Sequence, residues 1–536
     1  MLCAGIISLL VWTSCRKDFE DISNIGRVEF STDTLYLDTI FTNTSSATYS
    51  MRVYNRTDED ITIPSIRLER GETSNFRLNI DGIAGKSFQN IKVLAKDSIF
   101  VFAEVTTDIK EFSATADEFL YTDKLLFDTG ESTPQDVDMI TLVKDAIFLF
   151  PDRDDVTQEL EFLCLGENPD GNCPDLVDEC GNTVDRKLPG FFLTDDQLTF
   201  TREKPYVIFG YAAIPGNRTL TIEAGARIHF HENSGIIAAN TATLKIQGEL
   251  SDDPADPEKN LVILEGDRLE SDPDGLDFSD IAGQWGSVWL TAGSRGHEIK
   301  NTIIKNASAA LIVDAGSDQA EPMLTLNNVQ IYNSGNIGLV ARNSFVRGEN
   351  VVVHDAGLAA VNLALGGKYE FTHCTFTNYW DRGNRNFPAL LIDNGLFNKF
   401  GQLVDATNLV QADFTNCIIY GNRQLEVQFR RVRGPEFNFA FKNCLIRFDP
   451  SPSTELPVND QDLYDFESDR YTSLIRNEDP DFKDVRENQV WIGEESAANG
   501  KAMTPGAGAD ILGTMRNVDA PDIGAYESRD LEEEVK

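Results

Sequence analysis

Basic residues are scarce. Lys and Arg number 47 against 87 Asp and Glu in 536 residues, a net charge of −40. So acidic a chain is a poor partner for nucleic acid, whose phosphates require neutralising cations, and for an anionic membrane surface. Long apolar runs are missing too. None after residue 15 approaches the roughly 20 residues that a spanning helix needs. What is present argues for a folded chain: 41% hydrophobic and 25% charged residues exclude a disordered composition. The length allows two to four domains with sizeable cores. Thirty-nine Gly and 33 Phe with long polar stretches point to β structure with many turns.

The one early apolar run, residues 4–12 (AGIISLLVW), is too short to span a bilayer and fits the apolar core of a secretory signal. It ends at Thr13-Ser14-Cys15. A small residue followed at once by Cys resembles the cleavage site of bacterial lipoproteins, although no Lys or Arg precedes the run and Trp12 is bulky. The resemblance implies a signal peptide over 1–14 and a tether over 15–25, lipidated at Cys15. Arg16-Lys17-Asp18-Phe19-Glu20-Asp21 resembles the charged signal that sends some lipoproteins to the outer leaflet of the outer membrane. The expected location is therefore the cell surface, with the lipid as the sole membrane anchor.

Residues 26–145 read as short strands about ten residues apart, such as Asp33–Asp38, Ser50–Tyr54, Phe76–Ile80 and Ile99–Val105. That spacing predicts a β-sandwich. The stretch VYNRTDEDITIPSIRL (53–68) resembles bacterial immunoglobulin-like domains of the abnormal-spindle type, which implies a spacer or docking module. Residues 146–205 read as an irregular linker with Cys164, Cys173 and Cys180. In an oxidising compartment two of the three can pair, which leaves one thiol free; the alternative is that all three bind a metal.

An internal repeat follows. Ile299–Lys305, Leu326–Tyr332, Gly348–His354, Phe371–Thr377, Phe414–Tyr420 and Phe441–Arg447 align, with Asn301, Asn328, Asn350, His373, Asn416 and Asn443 in the third column. A second strand follows most of these residues by ten or eleven positions, and a third leads back into each motif. Three strands per turn of about 22 residues describe coils stacked at a strand spacing of about 4.8 Å. Stacked amides then hydrogen-bond up and down a bend, and a histidine ring substitutes in one rung. The fourth and sixth columns fill the interior, so Cys374, Cys417 and Cys444 are expected as buried free thiols.

Leu220–Phe230, Gly283–Leu290, Asp479–Phe482 and Asp522–Glu527 resemble the opening, first-rung and closing segments of bacterial right-handed parallel β-helix surface lipoproteins. The resemblance implies an all-β fold: an N-terminal immunoglobulin-like β-sandwich, then a right-handed parallel β-helix over 206–450 with closure and tail over 451–536. It implies no particular activity.

Chemistry on the coils is thinly signalled. No Arg-x-Lys occurs in the repeats, and the Asp pairs 154–155, 195–196 and 252–253 lie off the rung strands. Lys368, His373, Arg382, Arg385, Arg423, Arg430, Arg431 and Arg433 supply pieces of a β-elimination site without a recognisable motif. His229 and His231 share one strand face, two metal ligands at most. Asp272, Asp274, Asp277 and Asp280 form an acidic loop with hard oxygen ligands for Ca²⁺, the one cofactor the residues suggest. The seventh column should form an outward stripe suited to binding. Its candidate residues are Tyr332, His354, Tyr420 and Arg447, beside a loop carrying Tyr379, Trp380 and Arg382. The expectation is a non-catalytic scaffold that binds outer-membrane proteins. The alternative is a surface protein that binds or cleaves polysaccharide, like a pectate lyase.

Overall fold

The computed structural model describes residues 27–112, 117–166, 173, 176–177, 183–184, 186–269, 278–314, 320–398, 400–450, 460–503 and 508–531. Cys15, Cys180, Asp272, Asp274 and Asp277 lie outside them. The chain is all-β, 50% strand and 4% helix. It divides into two compact units, one ending at Asp145 and one beginning at Ala146.

In the first unit two five-stranded sheets enclose one core. One sheet orders Glu29–Phe30, Tyr49–Tyr54, Ser98–Val105, Phe76–Ile80 and Ile83–Gly85; the other orders Thr34–Phe41, Gln135–Lys144, Glu118–Asp128, Ile61–Leu68 and Ser87–Val93. Period-two alternation sets the burial. In Glu118–Asp128 the side chains of Tyr121, Leu125 and Phe127 are buried, while Thr122 and Asp128 are exposed.

The second unit is built on one 26-stranded sheet in which nearly all pairs are parallel. Three columns of strands run through it. Tyr206–Ile208, Arg227–Phe230, Val262–Gly266 and His297–Lys305 form one; Tyr211–Ile214, Gly235–Ala238, Val288–Leu290 and Ala309–Asp314 form another; Thr219–Glu223 and Thr243–Gln247 lead into the third. The sheet starts earlier than the sequence suggests. Ile147–Leu149 already pairs with Tyr206–Ile208, and Lys187–Phe192 pairs with Tyr211–Ile214, so the expected linker supplies strands to the sheet. Within it Cys164 and Cys173 form a disulfide.

The third-column residues all take a left-handed backbone, with φ between 45° and 56°. Asn tolerates this region far better than branched residues do, so the chain turns a corner there without leaving the sheet. Asn328 Nδ2 donates to Asn301 Oδ1 at 2.9 Å, Asn350 Nδ2 to Asn328 Oδ1 at 2.9 Å, and Asn416 Nδ2 meets His373 Nε2 at 3.0 Å. Inside the corner, the rings of Phe371, Phe414, Phe441 and Tyr471 stack at 4.7–5.7 Å. Beside them Cys374, Cys417 and Cys444 are buried free thiols, each donating to backbone carbonyls.

After Ile475–Arg476, the last strand of this sheet, the chain returns along the outward side of the column that follows the corner. Residues 482–531 bury Val352 with Val490, Ile511 and Tyr526, and bury Ile418, Tyr420 and Leu445 with Ile492, Ala498 and Ile523. This segment is therefore a lateral strap along the rungs, not only an end closure. It also breaks into the corner ladder. Arg516 donates to Asn350 Oδ1 at 2.8 Å, and Met503 N donates to Asn416 Oδ1 at 2.7 Å.

Candidate functional site

The seventh column extends further than the repeat alone indicates. Strand register aligns His229, Glu265, Lys305, Tyr332, His354, Thr377 and Tyr420 in turn, and Arg447 ends the row. The expected open stripe is corrected in its middle. His354 is 1% exposed, Thr377 0% and Tyr420 5%, because the strap covers them. The sequence signal for that cover is the fifth column, where four of the six residues, Ile303, Val352, Ile418 and Leu445, are apolar side chains that also point outward and need a lid of their own chain.

Partners within the chain occupy the column's titratable groups. Lys305 Nζ lies 2.8 Å from Glu265 Oε2, and His229 Nδ1 3.5 Å from Glu265 Oε1. Burial works to raise the Glu265 pKa, but His229, Lys305 and Arg227 outweigh it and hold the carboxyl below its usual value. His354 Nε2 donates to the carbonyl of Val485 at 2.8 Å, so Nδ1 accepts from the Thr377 hydroxyl at 2.8 Å. Burial lowers the His354 pKa, keeping the ring neutral. Arg447 donates to the Tyr420 hydroxyl at 3.2 Å.

A second polar column, at the next residue of each motif, comprises Asn306, Asn333, Asp355 and Asn378. The first three have φ of 65°, 58° and 48°, marking a second corner. Asn306 and Asn333 donate to the carbonyls of Ser279 and Asp280, and Arg382 donates to Asp280 O at 2.6 Å and to Asn333 Oδ1. The Asp280 carbonyl thus holds the loop onto the sheet. Among the described residues no group of three His, Cys, Asp or Glu is arranged to hold a metal.

The loop after this corner brings Tyr379 and Arg382 together, with Asp355, Asp381, Asn422, Val485 and Arg486, around a cavity of about 430 Å³. Trp380 stands apart from that lining, under the Arg382 guanidinium at 5.5 Å. A buried ion pair sets the loop. Arg385 forms two bonds to Glu426, at 2.7 and 2.9 Å, and Glu426 also accepts from the backbone N–H of Ala389 and Arg423. Burial raises the Glu426 pKa against that pairing. The other pieces of an elimination site are dispersed. Lys368 pairs with Glu370, Arg431 with Asp462, and His373 sits in the corner ladder.

One feature of the same coil is open. Gly395–Phe397 and Leu403–Ala406 form an antiparallel hairpin that belongs to none of the three columns. Leu396, Phe397, Phe400, Leu403, Val404 and the nearby Val410 are each about half exposed or more, and Phe400 reaches 66%. The hairpin's base is fixed: Asn394 and Val432 exchange two hydrogen bonds, of 2.7 and 3.1 Å. Exposed Arg430 and Arg433 flank Val432. Scans against protein-family models and against curated proteins find no match.

Proposed function

We propose that the protein is a non-catalytic interaction subunit that docks a protein partner through the 395–406 hairpin. The carrying observation is that hairpin. An exposed apolar hairpin of this kind marks an interaction surface, and here it stands on a base fixed by hydrogen bonds to the sheet. Exposed Arg430 suits a partner whose apolar patch has an acidic rim. The reading is further supported by the consumption of His229, Glu265, Lys305, His354 and Arg447 of the column in ion pairs and hydrogen bonds within the chain.

The finer fold belongs to the same proposal. The two facing sheets of residues 27–145 suit an immunoglobulin-like sandwich. The three parallel columns with Asn corners suit a right-handed parallel β-helix. With lipidation at Cys15, such a chain presents the hairpin at the outer-membrane surface, and its partner is an outer-membrane protein or complex. Full-length lipidated protein is recovered from detergent-solubilised membranes by affinity tag, alongside a Phe397→Ser/Phe400→Ser variant. The expected result is a stoichiometric membrane protein that the variant loses while keeping its thermal unfolding profile. Recovery of the wild type alone, or equal recovery of the membrane protein by wild type and variant, contradicts the proposal.

A further inference from the structure

A second cavity, of about 480 Å³, lies between the strap, the 250–261 loop and the outward face of the column. Its volume falls within the range typical of ligand sites, roughly 300–1,000 Å³. The floor is apolar: Leu261 and Ile303 belong to one packed cluster, against which the Tyr332 ring lies. The rim is polar, with Gln330, Asn488 and Gln489 amides and the carboxylates of Glu258 and Glu487.

We propose that this cavity binds a short segment of a neutral glycan. Three features select that class. Glu258 and Glu487 put two carboxylates on the rim against one lining cation, Arg529, so a uronate or phosphate is disfavoured. A cationic ligand is opposed by Arg529 on the same lining. Lys483 and Arg529 lie 4.6 and 5.0 Å from the Trp491 ring centre, and Arg529 and Trp491 both line the cavity. A purely apolar ligand would strip water from amides and carboxylates without replacing their hydrogen bonds. A neutral sugar satisfies each group: hydroxyls donate to the carboxylates and amide carbonyls and accept from amide N–H groups, while a C–H face lies on Tyr332.

Binding is measured by isothermal titration of the full chain with neutral gluco-, manno- and galacto-oligosaccharides, with oligogalacturonate and with spermidine. Tyr332→Leu and Gln489→Ala serve as variants, checked by circular dichroism melting. The expected result is binding of at least one neutral series, weakened tenfold or more by either variant that retains its melting profile, with no heat from oligogalacturonate or spermidine. Absence of neutral-glycan binding, equal or tighter binding of the uronate or the polyamine, or neutral binding that both folded variants leave intact overturns the proposal.

Discussion

At the residue scale, buried neutral histidines couple the fold to pH. His297 is 1% exposed; its Nδ1 accepts from the backbone N–H of Leu244 at 2.9 Å, so Nε2–H faces the Ser294 hydroxyl at 2.9 Å. A second proton on Nδ1 would face that N–H. Burial, with Lys245 nearby, lowers the His297 pKa to about 4. His373, likewise buried and near Arg516, falls to about 3. A histidine whose folded pKa lies below its unfolded value costs nothing above pH 6.5. It loses stability as pH falls from 6.5 toward the folded pKa, because only the unfolded chain takes the proton. From pH 7 to 5 that amounts to about 2 kcal/mol for His297. Half-exposed His231, whose pKa the hydrogen bond to Asp267 raises, works weakly in the opposite sense. Denaturant unfolding at the two pH values should show a wild-type loss larger than that of His297→Gln by about 2 kcal/mol. Equal losses would show that the ring is protonated in the folded state.

At the scale of the element, the corner is the unit to perturb. Asn328 has φ of 55° and hydrogen bonds to the rungs on both sides. Asn328→Ala adds left-handed strain of about 1–2 kcal/mol to lost hydrogen bonds of about 1 kcal/mol each, so a drop of about 3 kcal/mol is expected. Asn328→Gly, free of the strain, should lose only about half as much. If Gly proves no better than Ala in denaturant unfolding, the left-handed corner is not what the Asn supplies. This column was legible in the sequence because five of its six rungs repeat one residue type and all six share one backbone conformation. The second corner, at Asn306, Asn333 and Asp355, was less so: it follows a variable column, and Asn378 and Gly421 continue it with other roles. The strap was obscured for another reason. Its contacts join residues more than a hundred positions apart, such as Ala525 N to Thr375 Oγ1, and no local period reports them. Only the outward apolar fifth column carried the hint.

For the second unit as a whole, the account turns on whether residues 482–531 are a permanent wall. If they are, the polar column beneath is structural, and partners meet the hairpin and the cavity rim. The strap's inner face rests on buried polar links: Arg516 to Glu527 at 2.9 Å and to Asn350, Gly524 N to the Asn416 carbonyl, and Val485 O to His354. Truncating any one partner would leave another buried and unpaired. Such a segment opens only with the sheet it covers, not as a separate unit of low stability. Hydrogen–deuterium exchange of the intact chain, read by mass spectrometry on peptides spanning 509–527 and 414–421, tests this most directly. Amides of the two segments should exchange at similarly slow rates. Rapid exchange of 509–527 over a protected 414–421 would mark the strap as a lid and contradict the assignment of the column beneath it.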